Sequence, residues 1–395
     1  MLRRMAGCIM AAAVALAAAS CDVEETGPDP VAPPDQVDRT LLMYLPWSTD
    51  LTDYFFGNIS DMEQAIVSHG LNGGRVLVFM CTTATTAELF ELVPDGSSCR
   101  RVKLKDYSDP AYTTAEGIAS ILADVMAAAP AGSYGMTIGC HGMGWVPVSR
   151  AVNRRHAPQQ GYHWEAGGGV LTRFFGGQAP EVQTDIAALA EGMELAGMHT
   201  DFILFDDCYM SSVEVAYDLR HVTDYLIGCP TEIMAYGMPY TDVGPHLLGT
   251  PDYAGVCSAF LSFYSSYFYP YGTIGVTCTA QLDSLARVVR KIEAAFDLDP
   301  SLLSGIQIMD GYSPPLFYDL GDYIAALCTD SAMLSEFESQ LARAVPYKAH
   351  TPEYYSTFTG KMPIRAYSGI TTSAPTVGRY AEAWTQTEWY ADTHQ

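Results

Sequence analysis

The feature that most constrains the fold is a series of short apolar runs, each separated from the next by helical periodicity. Residues 39–45 (RTLLMYL), 74–81 (GRVLVFMC), 134–140 (YGMTIGC), 202–205 (FILF) and 225–228 (YLIG) are nearly continuously apolar. A strand that does not alternate is one buried on both faces. Helical spacing occupies 51–69, 114–128, 184–196 and 211–220, with Thr114 placed as a cap and Pro130 just past a helix end. Residues 88–93 and 100–104 read as a short hairpin. The pattern predicts an α/β fold: a mostly parallel sheet with helices on both faces. Residues 39–240 form this core, and 241–395 form a further α/β region packed on the same sheet. The aromatic run 260–270 reads as a core helix. No internal repeat is present.

Two of the strands stop at chemically active residues. The run 134–140 ends at His141-Gly142, and the run 202–205 ends at Asp206-Asp207-Cys208. In an open parallel sheet, ligands gather beyond the carboxyl ends of the strands. The connection between these two strands contains a helix, as a right-handed crossover requires. The imidazole and the thiol are therefore brought to one edge of the sheet, where they form a candidate nucleophile with its general acid/base. Ser211 and Glu214 match a capping box, which sets Cys208 just ahead of a helix N-terminus that favours a thiolate. Asp206 and Asp207 act against a thiolate if they are close to it, so they point elsewhere or serve a cationic ligand. Spacing alone leaves another reading open: a cysteine at a strand end is often core, and a histidine before glycine is often a turn residue.

Between 142 and 181 the pattern breaks. The segment carries Gly167-Gly168-Gly169 and Gly176-Gly177, few periodic apolar positions, and Arg150, Arg154, Arg155 and Arg173. Loops of that length inside a compact domain are usually functional or disordered. His156 and His163, near Trp164, have no metal-ligand spacing.

The N-terminus reads MLRRMAGCIMAAAVALAAASC. Arg3 and Arg4 precede an apolar stretch too short and too Ala-rich to span a bilayer, the layout of an export signal over residues 1–20. Ala18-Ala19-Ser20 before Cys21 is small enough for lipoprotein processing, and Cys21 is the expected lipidated residue; Cys8 has no apolar segment before it. Residues 21–38, with Pro28, Pro30, Pro33, Pro34 and several acids, form a tether. The expected location is the bacterial cell envelope, at the outer membrane or cell surface, with lipid as the membrane contact. Beyond the signal no run is long enough to cross a bilayer. Removing the first 20 of 395 residues leaves 375, and the net charge moves from −24 to −26 as Arg3 and Arg4 are lost. Such acidity excludes nucleic acid as the expected partner and favours basic peptides. Eight cysteines remain after Cys8 and Cys21, of which Cys81 and Cys99 stand on neighbouring predicted strands. A chain this long needs no disulfide framework.

Together the stretches resemble the clostripain family of cysteine peptidases, relatives of the caspases and gingipains. The likeness lies in His141-Gly142-Met143-Gly144-Trp145 after one apolar strand and in Asp206-Asp207-Cys208-Tyr209-Met210 after another. It continues in Glu214-Val215-Ala216-Tyr217-Asp218-Leu219-Arg220, in Thr172-Arg173-Phe174-Phe175-Gly176 and in Asp185-Ile186-Ala187-Ala188-Leu189-Ala190. Tyr367-Ser368-Gly369-Ile370 is similar to a C-terminal family strand. The resemblance is good over residues 39–228 and weak beyond. Two positions depart from the family pattern: Asp207 stands where Ala is common, and Cys140 stands where Asp or Ser is frequent.

The resemblance implies a caspase-like core and an endopeptidase that cleaves after Arg or Lys. Cys208 would attack the scissile carbonyl, His141 would protonate the leaving amine, and the N–H groups of Gly142 and Cys208 would form the oxyanion hole. Asp206 would lie in the primary specificity pocket. Maturation by cleavage between the His and Cys segments is implied, with Arg154 and Arg155 the candidate sites. No cofactor is expected. Some members need calcium, but no Asp-x-Asp-x-Asp-Gly loop occurs here, so no metal ligands are named. Two alternatives stay open: a catalytically silent peptide-binding lipoprotein on the same fold, and a peptidase of non-basic specificity.

Overall fold

The computed structural model describes residues 35–148, 176–177, 180–374 and 378–394. The export signal, Cys21, the tether up to Pro34, and Arg150, Arg154, Arg155 and Arg173 lie outside them.

The first half alternates as the apolar runs require. In chain order it comprises β1 (Val37–Leu45), α1 (Thr52–His69), β2 (Arg75–Thr83), β3 (Thr86–Asp95), β4 (Ser98–Ser108), α2 (Ala115–Ala128), β5 (Ala131–Ile138), α3 (Ile186–Ala196), β6 (Phe202–Phe205), α4 (Val213–Asp218) and β7 (Tyr225–Gly228). The second half adds α5 (Tyr240–Val243), α6 (Tyr253–Ser266), β8 (Thr273–Cys278), α7 (Leu282–Glu293), β9 (Phe317–Asp319), α8 (Leu320–Leu327), α9 (Ser331–Ala344) and β10 (Tyr347–His350). It closes with β11 (Glu353–Ser356), β12 (Gly360–Pro363), β13 (Thr371–Ser373), α10 (Gly378–Trp384) and α11 (Glu388–Thr393).

Nine strands make one sheet in the order β10-β8-β7-β6-β5-β1-β2-β3-β4. The five inner strands β7, β6, β5, β1 and β2 run parallel, and antiparallel strands extend both edges. Residues 40–45 and 76–81 are buried at consecutive positions, so both faces of β1 and β2 are covered. Helix α1 packs against α5, which in turn packs against α6, whereas α2, α3, α4 and α11 form a second contiguous series. Thr114 caps α2, its hydroxyl accepting from Gly117 N. The aromatic run divides: Phe260 and Tyr264 are buried in α6, and Phe268 beyond its end is exposed.

The hairpin and helix α4 differ from the expectation. The β3–β4 hairpin is longer than the apolar pattern indicates, because β4 is an edge strand with most positions exposed and carries little apolar signal. Helix α4 is shorter, starting at Val213. Its cap is Ser212, whose hydroxyl accepts from Val215 N, not Ser211, which donates to Gly369 O. Glu214 does not close a capping box. Its carboxylate instead accepts from Ser373 N at 2.8 Å and Trp384 Nε1 at 3.2 Å, and burial raises its pKa. Cys81 and Cys99 are not joined; all eight cysteines among the described residues are free thiols.

Candidate active site

β5 and β6 are parallel neighbours, with Ile138 beside Phe205 at their carboxyl ends. Asp206 N continues the ladder by donating to Ile138 O at 2.8 Å. The residues just beyond each strand therefore emerge side by side, and His141 and Cys208 are both fully buried in the outcome. The two backbones touch. A Cβ built on Gly142 would lie 2.3 Å from Cys208 O and 3.0 Å from Cys208 N, so only glycine permits this approach. That juxtaposition sets the main chain of Gly142 directly against that of Cys208.

Each of the flanking carboxylates has a distinct engagement. Asp207, the added charge beside the thiol, turns toward the end of β5: Oδ1 accepts from Cys140 N at 2.6 Å and Oδ2 from the Cys140 thiol at 3.6 Å. The two departures from the family pattern thus meet each other. Asp206 turns the other way and accepts from Met238 N at 2.7 Å while remaining buried. Residues 229–239 consequently form a wall beside the turn. Ile233 N donates to Cys208 Sγ at 3.4 Å, and the thiol faces Ile233 O at 3.9 Å. An N–H aimed at sulfur stabilises the thiolate over the thiol.

His141 is held from two directions. Its backbone N donates to Gly176 O at 3.3 Å, and its Nε2 lies 2.6 Å from Asp50 Oδ1. Asp50 carries no motif and was not expected at the site. The signal that would find it is topological: β1 adjoins β5 in the sheet, so the loop after β1 emerges beside the loop after β5. The remainder of the His-Gly-Met-Gly-Trp stretch is structural. Gly144 has φ +58° and packs on Phe317, and Trp145 Nε1 donates to Ser373 Oγ at 2.7 Å.

The turn after the thiol is equally fixed. Tyr209 has φ +62°, stacks on Phe317 with ring centroids 5.0 Å apart, and donates from its hydroxyl to Glu232 at 2.8 Å. Glu232 is a second residue that the sequence did not mark. Among the described residues no group of three or more His, Cys, Asp or Glu side chains is arranged to hold a metal ion. Among the same residues no helix is long and apolar enough to cross a membrane.

The chain is similar to known proteins in sequence and in fold. The family model of the clostripain family matches residues 43–319. A secreted C11 cysteine protease from Bacteroides thetaiotaomicron is 49% identical, with a TM-score of 0.84 over 91% of this chain and 100% of that one. An inactive zymogen C11 protease from Parabacteroides distasonis is 29% identical, with a TM-score of 0.76 over 92% of this chain and 99% of that one. A clostripain from B. thetaiotaomicron, solved with the peptide inhibitor BTN-VLTK-AOMK, is 50% identical, with a TM-score of 0.55 over 56% of this chain and 99% of that one. Among curated proteins no significant match is found. A parallel sheet that brings His141-Gly142 against Asp206-Asp207-Cys208, and a family match spanning most of the chain, make this protein a cysteine peptidase of the clostripain family.

Proposed function

We propose that the protein is an exported, lipid-anchored endopeptidase that cleaves after Arg or Lys, with Cys208 as nucleophile and His141 as general acid/base. The observation that carries the reading is the backbone contact between Gly142 and Cys208 at adjoining strand ends. It sets the main chain of Gly142 against that of Cys208, which supports an oxyanion hole built from the N–H groups of these two residues.

The steps follow from the chemistry of the groups present. The Cys208 thiolate attacks the carbonyl carbon, and the N–H groups of Gly142 and Cys208 donate to the developing oxyanion. Asp50 holds Nε2, so Nδ1 is the imidazole nitrogen that serves the leaving amine. The tetrahedral intermediate collapses to a thioester as His141 gives its proton to the amine. Water then attacks the thioester, His141 takes its proton, and the acid product leaves with the thiolate restored. Asp206 forms the floor of the pocket for the residue before the scissile bond. A buried carboxylate there favours a guanidinium or ammonium over an apolar side chain. The inhibitor peptide bound by the B. thetaiotaomicron clostripain ends in Lys, which supports a basic preference.

The test is a panel of fluorogenic peptides with Arg, Lys, Asp or Leu before the scissile bond, run on wild type and Cys208→Ala. Turnover of Arg or Lys peptides by wild type alone is expected. Preference for Asp or Leu would remove the basic specificity, and no turnover at all would favour a peptide-binding protein on the same fold. Lipidation at Cys21 is tested by Cys21→Ala, which should move the protein from the membrane to the soluble fraction.

A further inference from the structure

We propose that Glu232 is a positioning residue for the nucleophile, holding both the turn that presents Cys208 and the N–H that faces its sulfur. The inference rests on the reading of Cys208 as nucleophile and adds a residue outside either family motif.

Tyr209, next after Cys208, has φ +62°, a left-handed conformation that a bulky side chain rarely adopts. Such backbone persists where its surroundings over-determine it, and it gathers at functional sites. Three contacts do this here. Tyr209 N donates to Thr231 O at 3.1 Å, its ring stacks on Phe317, and its hydroxyl donates to Glu232 Oε1 at 2.8 Å. Only the last is a side-chain hydrogen bond, and it fixes the ring at the far end from the backbone. The ring, in turn, sets the plane of the peptide that follows the thiol.

Glu232 is itself fixed from the other side. Thr357 N, at the tip of the β11–β12 hairpin, donates to Oε1 at 3.0 Å and lies 3.1 Å from Oε2. The carboxylate is therefore clamped between the catalytic turn and a hairpin from the C-terminal half. Its neighbour in sequence, Ile233, is the residue whose N–H meets Cys208 Sγ. One buried side chain thus controls the backbone on both sides of the sulfur: Tyr209 through the hydroxyl, and Ile233 through the chain. A charged residue buried to 4% exposure beside a nucleophile is costly unless its acceptors are used. Here both oxygens are engaged by donors that converge on the site. This gives the hairpin, whose role the sequence leaves unread, a mechanical part in the chemistry.

The test uses the full chain with Glu232→Ala, Glu232→Gln, Tyr209→Phe and the double variant Tyr209→Phe/Glu232→Ala. Turnover of the best peptide from the panel is measured per folded molecule, beside the melting temperature and the rate at which iodoacetamide alkylates Cys208. For Glu232→Ala the expected outcome is a fall in kcat of about 30-fold with KM within about threefold, the scale of a small misplacement of the reacting group. Glu232→Gln, which keeps an acceptor for the hydroxyl, should recover to within about fivefold of wild type. The double variant should be no worse than the poorer single one, because both remove the same link. The alkylation rate should change at least about threefold, by a common factor in all three variants that break the link. An unchanged kcat per folded molecule with only a lower melting temperature would overturn the proposal, as would additive losses or unaltered alkylation. Full activity of Cys208→Ala, in contrast, would sink the nucleophile reading. The alkylation rates stand apart from turnover and so judge the Glu232 clamp in either case.

Discussion

Asp50 Oδ1 lies 2.6 Å from His141 Nε2, although the two residues stand on loops after different strands. A carboxylate can only accept, so Nε2 carries the hydrogen and the tautomer of His141 is set by its partner. The same contact stabilises the imidazolium that forms whenever the ring takes a proton. The Asp50 side chain keeps 34% of its surface in water, so the effect should be smaller than that of a fully buried partner. For Asp50→Asn, kcat is expected to fall roughly 10- to 100-fold with little change in KM. Steady-state kinetics on the Arg or Lys peptide reads this. An unaltered kcat would reduce Asp50 to a surface contact.

Asp206 and Asp207 are adjacent in sequence but point to different neighbours, so their variants should separate. Asp206→Asn is expected to cost on the order of 2–5 kcal/mol in kcat/KM toward Arg and Lys peptides, the usual loss for a buried carboxylate–cation contact. Its reaction with a small thiol alkylator should stay near wild type. Asp207→Ala removes the latch on Cys140 N and should instead lower the melting temperature, because a buried N–H loses its acceptor. Kinetics and thermal unfolding on both variants decide. Equal losses of peptide turnover and alkylation in Asp206→Asn would mark that residue as structural.

A carboxylate group under the C-terminal helix gives a pH prediction. Asp218 is pushed up to about 7, first by burial and then by the charges of Glu388 and Glu214. The folded chain then holds a proton that the unfolded chain has released, between roughly pH 4 and 7. Stability from this group therefore falls as pH rises through that window and is level above it. Asp218→Asn cannot titrate, so its melting temperature should exceed that of wild type by roughly 3–8 °C at pH 8. The gain should fade as pH is lowered from 7 to 4. A constant difference across pH would show that Asp218 does not change ionisation on folding.

The legible part of the fold is the part whose signal is local. The bounds of β6 and β7 can be read directly, because both strands are buried and their apolar runs have no gaps. The strand ends carrying His141 and Cys208 were legible for the same reason. β9, β11, β12 and β13 are not: each is only three or four residues long, and β9 pairs with β13 across about fifty residues, while β11 and β12 form a hairpin too short to carry an apolar run. Helix α4 is shorter than its sequence suggests, because Glu214 reads as a capping residue in sequence but is captured by Ser373 and Trp384 from the far end of the chain. Asp50 and Glu232 sit in loops with no periodicity. Only the order of strands in the sheet, and the hydroxyl of Tyr209, bring them to the site.

Self-processing is the last prediction. We propose that the chain is made as a zymogen and cuts itself after Arg154 or Arg155. The segment between 142 and 181 is rich in Gly and Arg and poor in apolar periodicity, the composition of a segment that proteases cut. Its described flanks are tied down: Gly176 O accepts from His141 N, the thiol's partner, and Val148 N donates to Asp185 Oδ1, at the start of α3, at 2.7 Å. Arginines in a chain with only 21 basic residues are the side chains that a buried Asp206 would select. β5 and β6 flank the cut and belong to one sheet, so the two products should stay associated and elute together. Mass spectrometry of wild type beside Cys208→Ala checks the idea: cleavage after Arg154 or Arg155 in wild type, none in the variant, and a gain in activity that tracks the cut. An intact wild-type chain with full activity would end it, and so would the same cut in Cys208→Ala kept free of wild-type enzyme.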